Sequence, residues 1–464
     1  MQVRRIPVAC VQAQAADRDD FITSWPRTLA LVGDAAHRGA KLIVLPEGTV
    51  PGYFLGDVPV EASLLEGAER ALSSIARGSG ATIVYGGARI HDGRTYNGAN
   101  VIGPDGSDLG FASKHFLWHF DRRWFAKGET LQPLVTPVGV LGVLVCADGR
   151  IPTIASTLIE RGAEVLVMPT AWVTSGRDPA LLENVQADLM INVRARENGV
   201  PFVAANKCGV ELQSIAYCGK SAIVAADGTF VTRAGEREET VIFGEIEAGR
   251  SPRRHVASLA VDDEARRTLR NPVELLRAPQ RVRIAFTSLN EGARLGRLPD
   301  LAELADAELL IAPVRGGAPS LPLLSVDSIG PNDGSVARIG GLFVGVVGEE
   351  VLNNPSGLVA ARLDGIDCYA AVVAEAGERT TIALARTRAM ELRCYLVVLD
   401  RNGDRAFAVD PDGTVIAGTF DDYRLASFTY DRSRTNATTV APHTDVLAGL
   451  RSVETTKGRD SVAR

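Results

Sequence analysis

Three residues of different chemical type each stand where an apolar run stops. Cys146 closes V-L-G-V-L-V-C (140–146) and passes into the polar turn Ala-Asp-Gly-Arg. Glu47 closes K-L-I-V-L-P-E (41–47), and Lys114 follows the run L-G-F-A-S at 109–113. Taken singly, each has an ordinary explanation. A free cysteine is usually a small core side chain, a carboxylate after a strand is usually solvated, and most lysines are surface cations. Together they are a base, a cation and a thiol. In a layered αβ fold the carboxyl ends of parallel strands converge at one edge, where ligands bind. A thiol, a carboxylate and an ammonium gathered there form a set for nucleophilic acyl transfer.

The elements that must position them follow from periodicity. Val140 to Val145 reads as a strand buried on both faces, and a helix starts near Ile151-Pro152, with Ile154, Ala155, Leu158 and Ile159 at helical spacing. A side chain at such a strand-to-helix turn sits at the open end of a sheet. Upstream, Val8 to Val11 is a strand, Thr28 to Ala40 a helix and Lys41 to Leu45 a buried strand, a βαβ opening. Leu64 to Ala76 reads as a helix and Ala81 to Ala88 as a strand. A hairpin turns at Gly103-Pro104-Asp105-Gly106, between Val101-Ile102 and Leu109 to Ala112. Downstream come a strand at Glu164 to Met168, a helix over Leu181 to Asn198 and a strand at Pro201 to Ala205. A hairpin over Ala226-Asp227-Gly228 and a strand at Val241 to Ile246 close the first half.

These stretches resemble the nitrilase superfamily, the carbon–nitrogen hydrolases. The resemblance rests on L-I-V-L-P-E-G (42–48), S-K-H-F-L (113–117), V-L-V-C-A-D-G-R-I-P (143–152), G-A-E-V-L-V-M-P-T-A-W (162–172), R-A-R-E-N-G-V-P-F-V-A-A-N-K (194–207) and G-K-S-A-I-V-A-A-D-G (219–228). Together they span nearly all of residues 5 to 247 in the family's order. The resemblance implies an α/β fold, an α-β-β-α sandwich, and a Glu-Lys-Cys triad of Glu47, Lys114 and Cys146. Glu47 would move the proton, Cys146 would attack, and Lys114 would face the developing oxyanion with the backbone N–H after Cys146, that of Ala147. Where the family has a second glutamate in F-D-E-x-R-Y-F, this chain has Phe120-Asp121-Arg122-Arg123-Trp124-Phe125. Asp121 is the matching carboxylate, one methylene shorter. Thr153 stands where the family has a glutamate after the helix proline. Cys-Ala-Asp-Gly-Arg is similar to the amidase and carbamoylase branches and lacks the Cys-Trp-Glu-His of true nitrilases. Tyr53, Trp118, Trp172 and Trp124 are candidates for an acyl pocket, although aromatics are more often plain core.

The second half echoes the first. V-R-I-A-F-T (282–287) parallels I-P-V-A-C-V (6–11), and A-E-L-L-I-A-P-V (307–314) parallels A-K-L-I-V-L-P-E (40–47). R-T-R-A-M-E-L-R-C-Y-L-V-V-L-D (386–400) parallels the region from Arg194 to Asn206. D-P-D-G-T-V-I (410–416) parallels A-D-G-T-F-V (226–231). Val314 replaces Glu47, Gly348 replaces Cys146, and the lysine hairpin is largely deleted. The expected architecture is therefore tandem α-β-β-α sandwich domains, the second trimmed. It divides into a catalytic domain at 1–250, a connector at 251–280 with one short helix near Val261 to Leu269, a non-catalytic domain at 281–431 and a polar tail at 432–464. The tail is expected to wrap a neighbour or to be disordered.

Composition bounds the rest. The chain has 464 residues, enough for two or three domains, with 46% hydrophobic and 23% charged residues. A net charge of -6 argues against nucleic acid or an anionic membrane as partner. No apolar run approaches a membrane span of about 20 residues. Six cysteines without CxxC spacing suggest neither a metal site nor a disulfide framework, so a cytoplasmic location is the default. No cofactor is expected; the partners are a small amide substrate and water. A dead copy in the same chain suggests an intrachain pseudo-dimer, with a homo-oligomer also open. The leading expectation is a cysteine hydrolase of a small linear amide or N-carbamoyl compound. A glutaminase-type ammonia donor, a nitrile hydrolase and a binding or regulatory pseudoenzyme are the alternatives.

Overall fold

The computed structural model describes residues 3–57, 59–174, 181–249, 259, 261–288, 306–313, 321–402, 405–420 and 424–462. Val314 lies outside them. The chain divides into two compact units: Met1–Pro252 with Ala441–Thr444 and Ser452–Arg464, and Arg253–Val440 with Asp445–Arg451. No helix among the described residues is long and apolar enough to cross a membrane.

In the first unit the elements are β1 (Arg4–Gln12), α1 (Phe21–His37), β2 (Leu42–Val44), α2 (Ala62–Ser79), β3 (Thr82–His91), β4 (Arg94–Ile102), β5 (Asp108–Ser113), α3 (Asp121–Trp124), β6 (Leu134–Thr136) and β7 (Gly139–Val143). There follow α4 (Pro152–Glu160), β8 (Val165–Pro169), α5 (Ile191–Asn198), β9 (Phe202–Ala205), β10 (Cys208–Glu211), β11 (Ile215–Cys218), β12 (Ala222–Val224), β13 (Phe230–Arg233) and β14 (Thr240–Ala248). One sheet runs β14-β1-β2-β3-β4-β5 and the other β13-β12-β9-β8-β7-β6. Strands of the two sheets pack on each other, α1 and α2 cover the first sheet, and α4 and α5 cover the second. This is an α-β-β-α sandwich. Alternation on β1 is the physical cause: Ala9 and Val11 join the helix-side core. Cys10 and Gln12 point the other way, the Cys10 thiol to the Ala222 carbonyl and the Gln12 amide to those of Gly235 and Glu238.

The second unit holds α6 (Asp263–Arg270), α7 (Pro272–Arg277), β15 (Arg281–Thr287), β16 (Leu309–Ala312), β17 (Leu323–Ser325), β18 (Gly334–Ile339), β19 (Leu342–Gly348), α8 (Glu349–Asn353), α9 (Pro355–Asp364), β20 (Cys368–Val373), α10 (Arg379–Leu392), β21 (Tyr395–Asp400), β22 (Ala406–Val409), β23 (Val415–Gly418), β24 (Leu425–Asp431), α11 (Arg432–Asn436) and β25 (Thr439–Ala441). β26 (Thr444–Asp445) and α12 (Val446–Val462) end the described chain. Its sheets run β17-β16-β15-β24 and β18-β19-β20-β21-β22-β23. The six-stranded sheet has the pairing directions of the first unit's second sheet: antiparallel, parallel, parallel, antiparallel, antiparallel. The four-stranded sheet has no counterpart of the β4–β5 hairpin among the described residues. Alternate residues from both sheets, including Ile284, Phe286, Val344, Val346 and Val397, form one buried cluster.

Several expectations shift in detail. Helix α1 begins at Phe21 rather than Thr28 and runs through Pro26. Proline removes a donor to the Ile22 carbonyl, and Ile22 is exposed. The helix expected from Leu181 starts near Val185, where the Asn184 side chain caps the Gln186 N–H at 2.9 Å; its first turn is a π-turn over Gln186–Met190. The connector has two helices, not one. The tail is helical from Val446 to Val462. The β10–β11 hairpin has no signal in the sequence: its turn places Leu212 and Gln213 at positive φ, without the Asn-Gly pair that marks such turns.

Candidate active site

Glu47 lies three residues beyond β2, and its N–H donates to the Thr170 carbonyl beyond β8 at 3.2 Å. This brings the two sheets' strand ends together. The turn around Glu47 crosses β3 at Gly86, where a Cβ would lie 2.3 Å from the Glu47 Cα. Only glycine permits that approach. Lys114 follows β5 directly, with its N–H on the Asn97 carbonyl at 2.8 Å.

The side chains converge. Lys114 Nζ donates to Glu47 Oε1 at 2.7 Å and lies 2.7 Å from Asp121 Oδ2, with all three side chains fully buried. Asn97 Nδ2 donates to Glu47 Oε1 at 2.7 Å. Asp121 Oδ1 accepts from the Tyr53 hydroxyl at 2.9 Å, and Oδ2 accepts from the Trp118 N–H at 2.7 Å. The shorter aspartate reaches the lysine from the first residue of α3. Burial works against the Lys114 charge, but the Asp121 and Glu47 carboxylates outweigh it and hold the ammonium well above its ordinary range. Glu47 Oε2 is buried and makes no hydrogen bond among the described residues.

Cys146 opens a 3₁₀ turn, Cys146–Arg150, with φ of 44°. That left-handed conformation is uncommon for a residue with a Cβ and marks strain stored at a sharp strand-to-helix turn. The residue is 9% exposed. Burial, then the Glu47 charge, push its thiol up to about 12, while Lys114, the Thr170 side chain and the Ala171 N–H pull the other way. At neutral pH the sulfur is therefore a thiol and needs a base to react.

The turn is braced from two sides. Asp148 Oδ1 accepts from the His115 and Phe116 N–H groups at 3.1 and 2.6 Å, and Oδ2 from the Val145 N–H at 3.0 Å. One carboxylate thus ties the lysine segment to the nucleophile turn. Burial still pushes Asp148 up to about 7. Arg194 on α5 donates from Nε to the Gly149 carbonyl at 3.0 Å and pairs with Glu197 at 2.8 Å. Asn97, Asp148 and Arg194 were not singled out from sequence. The signal the sequence offers for Arg194 is its place three residues before Glu197.

Of the pocket candidates, Tyr53, Ala147 and Trp172 are buried, and Trp118 is half-buried. The Tyr53 hydroxyl is committed to Asp121. The Trp118 ring carries the Arg150 guanidinium 4.6 Å from its centroid. Arg150 has no hydrogen-bonding or ion-pair partner among the described residues. Burial lowers it to about 10, and the nearby Cys146 sulfur opposes that shift. No cluster of metal-ligating residues occurs among the described residues.

The family model of the carbon–nitrogen hydrolases matches residues 7–252. The chain belongs to this family. A hydrolase in the pqqF 5′ region of Pseudomonas protegens is 36% identical over 215 residues, 45% of this chain and 72% of that protein. The omega-amidase NIT2 of Danio rerio is 32% identical over 233 residues, 48% of this chain and 81% of its own. An amidase from Nesterenkonia sp. of solved structure aligns with a TM-score of 0.47 at 24% identity, over 52% of this chain and 89% of its own. The carbon–nitrogen hydrolase match thus covers the N-terminal part of the first unit and ends at Pro252, leaving that unit's C-terminal segments outside it.

Proposed function

We propose that this carbon–nitrogen hydrolase cleaves a small linear amide through a thioester on Cys146. The observation that carries the reading is the buried Glu47–Lys114–Asp121 group beside a strained cysteine of raised pKa. The free oxygen of Glu47, Oε2, takes the thiol proton as the sulfur attacks the amide carbon. Negative charge develops on the carbonyl oxygen, facing the Lys114 ammonium and the Ala147 N–H. The C–N bond breaks, and Glu47 returns its proton to the leaving amine. Water then attacks the thioester carbon as Glu47 takes a proton from it. The C–S bond breaks, the acid leaves, and the sulfur regains its proton from Glu47. Asp121 keeps Lys114 charged and oriented throughout.

The substrate side is supported by Arg150. A cation on the nucleophile turn, stacked on Trp118 and without a carboxylate partner among the described residues, suits a substrate bearing its own carboxylate. An ω-monoamide of a short dicarboxylic acid fits, and two relatives carry omega-amidase or hydrolase names in keeping with it. We read residues 281–431 as a trimmed, catalytically dead copy. Two observations support this. A Cβ at Gly348 would lie 2.0 Å from the Gly330 carbonyl oxygen, so no nucleophile fits there. The buried Arg194–Glu197 pair has a counterpart in Arg388–Glu391, at 2.5 Å.

The test is turnover of a panel of ω-monoamides, glutamine, N-carbamoyl amino acids and nitriles, with Cys146→Ala as control. Ammonia release confined to the monoamides, and abolished in the folded variant, is the expected result. A folded Cys146→Ala protein that still hydrolyses them would sink the mechanism. Thioester mass trapped on Glu47→Gln protein would identify the acyl group.

A further inference from the structure

The turn that carries Asp121 is held by a segment more than three hundred residues away in sequence. Ala441–Thr444 and Ser452–Arg464 belong to the first compact unit, although they come after Arg253–Val440 of the second unit along the chain. The Thr444 hydroxyl accepts the His119 N–H at 2.8 Å and donates to the Pro442 carbonyl at 3.2 Å. Thr444 is fully buried. Close by in sequence, Lys127 donates to the Ser452 hydroxyl, and Lys457 lies 4.0 Å from Glu160.

His119 is the residue of this turn that needs outside support. It sits at φ of 36°, between Trp118 and Asp121, which close on each other: the Asp121 N–H donates to the Trp118 carbonyl at 2.7 Å. The His119 N–H has no acceptor within the turn. A buried N–H without a partner is costly, and a strained residue persists only where its surroundings over-determine it. The Thr444 hydroxyl supplies the missing acceptor. The same turn directs the Trp118 N–H onto Asp121 Oδ2, the oxygen that lies against Lys114.

We propose that Thr444 is a positioning residue for the reaction. The C-terminal segment straps the Trp118–Asp121 turn and so sets Asp121 against Lys114. The role rests on the amidase reading above for its catalytic consequence, but the contact has its own readout. Thr444→Val keeps the shape and removes the acceptor; Thr444→Ser keeps the acceptor.

The experiment compares both variants of the full chain with the wild type, by ω-monoamide kinetics and by hydrogen exchange of the peptide covering 115–125. Thr444→Val is expected to lower kcat about tenfold with KM within about twofold, the effect of one lost buried hydrogen bond expressed at the reacting groups. Exchange in 115–125 should quicken, and Thr444→Ser should restore both. Unchanged kcat and unchanged exchange in Thr444→Val would overturn the proposal. So would a loss that Thr444→Ser fails to restore and that tracks a chain-wide gain in exchange. If the wild type hydrolyses no amide while Thr444→Val still deprotects 115–125, the strap stands and the amidase reading falls.

Discussion

Asp121→Asn separates charge from shape at the centre of the site. Asparagine fills the same volume and keeps an oxygen for Lys114, but it removes one of the two carboxylates on a fully buried ammonium. Two unit charges 2.7 Å apart interact by about 6 kcal/mol at an effective dielectric of 20. The amide oxygen restores roughly half of this as a charge-assisted hydrogen bond, which leaves a loss of about 3 kcal/mol, in the range found on breaking buried pairs. For a unit of this size that lowers Tm by about 6–12 °C. Activity should fall further than stability, because Lys114 then faces one carboxylate, that of Glu47, and only a neutral amide oxygen on the other side, and is drawn off the oxyanion position; losing one such donor costs roughly 100–1,000-fold in rate. The assay is kcat/KM for ω-monoamide hydrolysis well below the variant's melting point, with Tm followed by calorimetry. A variant that keeps kcat/KM within about threefold of wild type would refute the placement of Asp121 in the catalytic group, whatever its Tm.

Further outcomes follow from the same geometry. Because the Cys146 thiol is raised to about 12, its alkylation by iodoacetamide should be slow at pH 7 and still climbing with pH beyond 9, where an ordinary thiol levels off; a plateau near pH 9 would contradict the burial argument. Lys114→Met removes a charge that favours the thiolate, so alkylation at fixed pH should slow by about tenfold or more. Arg150→Met should raise KM for carboxylate-bearing amides by about 10–100-fold while leaving neutral amides such as butyramide nearly unaffected, as for loss of a charge-assisted hydrogen bond; equal effects on both would remove Arg150 from substrate binding. Gly348→Cys should fail to fold or be strongly destabilised, since a Cβ there would meet a backbone carbonyl at 2.0 Å; a stable variant in thermal melts would remove that support for a dead copy.

Much of this was already written in the order of residues. Apolar runs ending at Glu47, Lys114 and Cys146 are local patterns, and local patterns report strands and their ends because side-chain periodicity is a property of neighbouring residues. The parallels between residues 281–420 and the first half are local patterns of the same kind, and the six-stranded sheet of the second unit has the strand order of the first unit's second sheet. What remained hidden depends on residues distant in the chain. Asp121 could be aligned but not given reach, because reach depends on where α3 begins relative to Lys114. Asn97 and Asp148 carry no local signal and Arg194 only its spacing from Glu197, since each acts through a backbone or side-chain group brought to it by folding. The acceptor that Thr444 offers to His119 is the extreme case: a threonine in a polar tail has nothing nearby to distinguish it. Periodicity is read along the chain, whereas hydrogen bonds, burial and charge balance are settled by distance in space, and only packing brings those separated groups within bonding range.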